Sequence, residues 1–107
     1  VFRVTIRGTF DGLTDAQRAA LRAGEGVPVG PAYTEAGAFT FDSSVAVFSF
    51  RCEVPAEEPE DGDDEATLRA LAALDAYGYR YTARRIAVTD MRAVKIRRPP
   101  RGRGRSA

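Results

Sequence analysis

The sequence predicts an α+β fold of four strands and two helices in the order βαββαβ. Three observations predict it. Phe2 to Phe10 alternates apolar and polar residues with the period of a strand. Two more strand-like runs, 36–41 and 45–54, are separated only by the turn residues Asp42-Ser43-Ser44. Helical patterns lie before the first of these runs and after the second, each opened by its own start signals.

In the first strand Phe2, Val4 and Ile6 point one way and Arg3, Thr5 and Arg7 the other. Gly8 and Gly12 loosen the chain beyond it. Thr14-Asp15-Ala16-Gln17 then reads as a capping box, in which the Thr14 hydroxyl and the Gln17 side chain each bond the other residue's amide. Asp15 suits the helix dipole. The helix should run to about Ala23 and stop at Gly24, with a thin apolar stripe of Leu13, Ala16, Ala20 and Leu21. A Gly/Pro/Val connector without periodicity follows, from Glu25 to Pro31.

The next two strands form a hairpin. Phe39 and Phe41 share one face of the first; Phe48, Phe50 and Cys52 share one face of the second. Val45, Val47, Ser49 and Arg51 take the other. An acidic, proline-containing loop leads to a helix over 63–77, with Leu68, Ala70, Leu71, Leu74 and Tyr77 as its apolar arc and Gly78 as its stop. The last strand is expected over 84–91, with Ile86 and Val88 inward. Residues 1–96 thus form one domain, and 97–107 read as a basic disordered tail.

A strand–helix–strand unit makes a right-handed crossover. The hairpin then places the third strand beside the first. The outcome is an antiparallel sheet of order 4-1-3-2 with both helices on one face, the ferredoxin-like plait. Its other face is open. By phase that face carries Arg3, Thr5, Arg7, Thr40, Ser49, Arg51, Arg85, Ala87 and Thr89, with Val45 and Val47 nearby. The phenylalanines fall on the covered face, so the open face lacks the aromatic platform on which RNA-recognition motifs stack bases.

Composition limits the chemistry. The chain has one cysteine and no histidine among 107 residues. No internal disulfide, Ser-His-Asp or Cys-His centre is available, and the donor set is wrong for zinc. Cys52, in phase with Phe48 and Phe50, reads as a buried core thiol. No apolar run is long enough to span a membrane, and the expected location is the cytoplasm. No cofactor is expected. Of the 16 basic residues all but Lys95 are arginine, a bias that codon usage in a GC-rich genome explains.

The chain resembles a family of short, uncharacterised actinobacterial proteins. The stretch from Phe2 to Leu21, the segment from Gly37 to Asp42 leading into Phe48-Ser49-Phe50-Arg51, and Gly78-Tyr79, Arg85 and Thr89-Asp90-Met91 carry the resemblance. It implies no activity and supplies no catalytic residue.

Three features are candidates for function. Arg7, Arg51, Tyr79, Tyr81, Arg85 and Asp90 offer groups that bind and orient a polar ligand, with Asp90 as a base if buried. Arg97, Arg98, Arg101, Arg103 and Arg105, spaced by Gly and Pro, can contact nucleic-acid phosphates without folding. Asp61-Gly62-Asp63-Asp64-Glu65 has part of a calcium-loop pattern but not its spacing, and reads as a solvated acidic loop with helix capping. The leading expectation is a non-catalytic cytoplasmic binding or accessory module. The alternatives are a small dimeric enzyme or small-molecule binder using the open sheet face, and a nucleic-acid-associated protein acting through the tail. Small plaits often pair through the free sheet face, so a homodimer is expected.

Overall fold

The computed structural model describes residues 1–92. Strand β1 (Phe2–Phe10), helix α1 (Asp15–Arg22), strands β2 (Ala38–Phe41) and β3 (Val47–Val54), helix α2 (Asp63–Asp75) and strand β4 (Tyr81–Asp90) follow in the predicted order. They build one antiparallel sheet of order β2-β3-β1-β4, the 4-1-3-2 order read from its other edge. Leu21 of α1 and Ala66, Ala70 and Leu74 of α2 join Phe2, Val4, Ile6, Phe48 and Phe50 in a single core. Both helices therefore cover the same sheet face, as the ferredoxin-like plait requires. The expected domain limit at residue 96 and the 97–107 segment lie outside the described residues.

Aromatic rings fill much of the core. Phe10 stacks on Phe48 at 4.6 Å between centroids, and Phe39 meets Phe50 at 4.9 Å. Such pairs contribute about 0.5–1.5 kcal/mol each beyond the area they bury. Cys52 is buried among them, 2% exposed.

Helix α1 begins as its sequence dictates. The Gln17 amide donates to Thr14 Oγ1 at 3.0 Å, and the Thr14 amide donates to Gln17 Oε1 at 2.9 Å. Its apolar stripe is thin, and Leu21 is the one residue within the helix that is buried. Arginines complete its attachment: Arg18 Nε and Arg22 Nη2 donate to the Ser44 and Ser43 carbonyls of the β2–β3 turn. In α2 the buried stripe is Ala66, Ala70 and Leu74, spaced by four residues. Leu68, expected in the core, is 68% exposed because it falls outside that row. At the N-terminus of α2, Glu65 accepts from the Gly62 amide at 2.8 Å, and Gly62 has no side chain to return the bond.

Two further differences have local causes. Val45, expected near the open face, is buried at the hairpin turn, 2% exposed with φ of 56°. That left-handed conformation is unfavourable for a β-branched residue. Asp42 holds it there: its carboxylate accepts from the Ala46 and Val47 amides and from the Ser44 hydroxyl, and its carbonyl accepts from the Val45 amide. Strand β4 begins at Tyr81 rather than Arg84. Its pairing with β1 shifts register between Arg7 and Gly8, so Arg84 is an inserted residue and breaks the alternation a sequence reading follows. A Cβ at Gly8 would collide with the Thr82 carbonyl and press on the Phe48 ring, so glycine permits this close approach of β4.

The connector between α1 and β2 also takes a definite path. Val29 bridges to Phe39 and Thr34 to Cys52, which covers the outer edge of β2 and β3. Between these two contacts the chain carries Tyr33 onto the open face.

Candidate functional site on the open sheet face

The open face is ordered in rows across the strands. One row runs Thr40, Ser49, Arg7, Arg85. The next runs Ala38, Arg51, Thr5, Ala87, and the third Glu53, Arg3, Thr89. Residues directly opposite in antiparallel strands point to the same side, so the first row sets two hydroxyls and two guanidinium groups in a line. Arg51 leans into this row and donates to Thr40 Oγ1 at 2.9 Å.

Among the described residues, Arg18, Arg69 and Arg92 have carboxylates within 4.0 Å, whereas Arg3, Arg7, Arg51 and Arg85 have none. The open face thus carries four arginines without an ion pair, together with Glu53 opposite Arg3. A shallow cleft of about 240 Å³ lies beside the first row, lined by Arg7, Thr40, Ser49, Asp42 and Val47. Asp42 is the acidic group of its lining. Hydrogen bonds from Ser44 and Val47 hold its carboxyl down at about 2, so it stays ionised and is engaged by the turn.

Tyr33 belongs to this face, although it lies in a segment without periodicity. Its hydroxyl shares a hydrogen bond with Thr5 Oγ1 at 2.7 Å, and the Arg3 guanidinium sits 5.3 Å over its ring. The one sequence signal is an aromatic residue just beyond the Gly/Pro connector. The open face thus holds an aromatic ring after all, with Arg3 seated over it.

The six candidate ligand residues do not converge. Arg7, Arg51 and Arg85 share the open face. Tyr79 and Tyr81 pack on the helix side, Tyr79 edge-on to Phe10 and Tyr81 edge-on to Phe48. The Tyr81 hydroxyl donates to Asp75 of α2 at 2.6 Å; burial first, then that bond, pushes its phenol up to about 12. Asp90 lies at the opposite end of β4, on the helix side, opposite Phe2. Arg92 holds it bidentately through Nε and Nη2, both at 3.0 Å, and this keeps its carboxyl below the ordinary carboxylate value. Arg92 also covers the Phe2 ring at 4.8 Å and donates to the Asp61 and Pro59 carbonyls. Asp90 and Arg92 therefore staple the acidic loop to the sheet, and Asp90 is not placed as a base.

The acidic loop has a structural centre of its own. Asp61 is 9% exposed and accepts from the Glu57 and Glu58 amides and from Arg69. Backbone hydrogen bonding, with Arg69 beside it, lowers its pKa. Among the described residues no cluster of His, Cys, Asp and Glu has the geometry to hold a metal ion, and no helix is long and apolar enough to cross a membrane. The tail arginines from Arg97 to Arg105 lie outside the described residues.

No curated protein and no solved structure matches the chain. A match to a family spans residues 1–102, and the chain belongs to that family of unknown function, DUF6204.

Proposed function

We propose that this protein is a binding module without a catalytic centre, and that the open face of its sheet recognises an anionic ligand. The observation that carries this reading is the set of four arginines on one face without a carboxylate within 4.0 Å among the described residues. Guanidinium groups suit planar, bidentate contact with carboxylate or phosphate oxygens. Threonine and serine hydroxyls between them supply further donors. The chain lacks histidine, and Asp90 is engaged by Arg92, which supports binding rather than turnover. A homodimer paired through this face would bring the guanidinium groups of two copies together, so the anion-binding reading takes the single chain as its working unit.

Titration calorimetry with tripolyphosphate at low salt tests the reading against phosphate contact through the tail. Three proteins are compared: the full chain, the chain without 97–107, and the R7Q/R51Q variant. The expected result is retained binding without the tail and about tenfold or greater weakening in the face variant. Binding lost with the tail and unchanged in the face variant would replace this reading with the tail reading.

A further inference from the structure

Within that face, and resting on the anion-binding reading, we infer that the row Thr40-Ser49-Arg7-Arg85 with Arg84 is a seat for a single phosphoryl group. The β4 bulge is the device that builds it. Arg7 and Arg85 are register partners, and the register then skips Arg84 before resuming at Ala83 opposite Gly8. The bulge therefore brings two consecutive arginines of β4 to the position of one residue of β1, and positive charge concentrates at that step. Like charges directly opposite in a sheet repel. A bound dianion between them turns this repulsion into two attractive contacts.

The chemistry selects a phosphoryl group over a carboxylate. Adjacent strands are about 4.8 Å apart, so Arg7 and Arg85 can reach one tetrahedral group from either side. Each guanidinium offers a two-pronged donor to a pair of oxygens. A phosphate dianion has enough charge and enough acceptor oxygens for both forks and for a hydroxyl donor as well. A carboxylate has one charge and two oxygens, and leaves one arginine unmatched. Ser49, 7% exposed and opposite Arg7 on the β3 side, is placed to donate to the third oxygen. Arg51, tied to Thr40, fixes the far side of the row. The cleft beside the row is lined by Arg7, Thr40, Ser49 and the ionised Asp42, and Asp42 repels an anion toward Arg85, the register partner of Arg7.

Inorganic phosphate and glycerol 2-phosphate are titrated calorimetrically into the full chain at constant ionic strength, with acetate as the comparison. The variants are R7Q, R85Q and R3Q. Both R7Q and R85Q remove one of two opposed like charges and should fold, which a near-ultraviolet circular dichroism spectrum checks. Binding of either phosphate compound, weakened about tenfold by R7Q and by R85Q and only about twofold by R3Q, is the expected result. The ratio of the two affinities tells a free ion from an ester. Equal weakening by R3Q would overturn the seat and leave a diffuse anion-binding face. Acetate binding as tightly as phosphate would overturn the phosphoryl assignment. Binding that none of the three variants changes would overturn the seat and the recognition face together.

Discussion

Arg7 and Arg85 stand directly opposite one another in adjacent antiparallel strands, and no described carboxylate lies within 4.0 Å of either. Two like charges in this relation weaken a sheet unless something else uses them. Gln at position 85 keeps the strand pairing and removes one charge. The melting temperature of R85Q should therefore exceed that of the unsubstituted protein by roughly a degree or two at low salt. The difference should shrink at high salt, where screening already reduces the repulsion. Thermal melts at two salt concentrations check this.

Gly37 precedes β2 with φ of +86°, and a Cβ there would run into the Phe50 ring. Gly37→Ala combines an unfavourable backbone with overlap in the core. The expected loss is about 3–5 kcal/mol, measured by urea unfolding.

Asp42 gives the fold an acid-sensitive turn. Its carboxyl titrates at about 2 in the folded protein against an ordinary 3.8. A depressed folded pKa contributes stability that is fully present above about pH 4 and is lost as pH falls toward 2. Melting temperatures measured from pH 6 to pH 2 should fall less steeply for Asp42→Asn than for the unsubstituted protein. The variant should also be less stable at neutral pH, because Asn cannot reproduce the ionised acceptor for Ser44, Ala46 and Val47.

Much of the fold was legible in the sequence because alternation, capping chemistry and glycine stops are local signals. The Thr14–Gln17 box formed as read, and the β2–β3 hairpin formed with a longer turn that takes in Val45. The site was less legible, because face and register are not local. One inserted residue at Arg84 reset the phase of the first third of β4, so Tyr81 entered the strand on the helix side. Asp90 alternates regularly with Arg85, but five residues apart puts them on opposite faces, which no grouping by residue type could respect. Tyr33 reached the open face through a connector pinned at Val29 and Thr34, and those bridges have no sequence period.

Tyr81 should ionise late, at about 12, because its phenol is part-buried and donates to Asp75. Absorbance titration near 295 nm should show a late step that disappears in Tyr81→Phe. Tyr77, raised chiefly by burial, should remain in the titration of that variant.

The most direct measurement of the central claim is a two-dimensional NMR titration of the full chain with millimolar inorganic phosphate at fixed ionic strength. Local contact moves a few neighbouring amides, whereas a general salt effect moves none selectively. Shifts that saturate together at Thr40, Ser49, Arg7, Arg84 and Arg85 are the predicted result. Shifts absent from that row, or confined to residues 97–107, would contradict it.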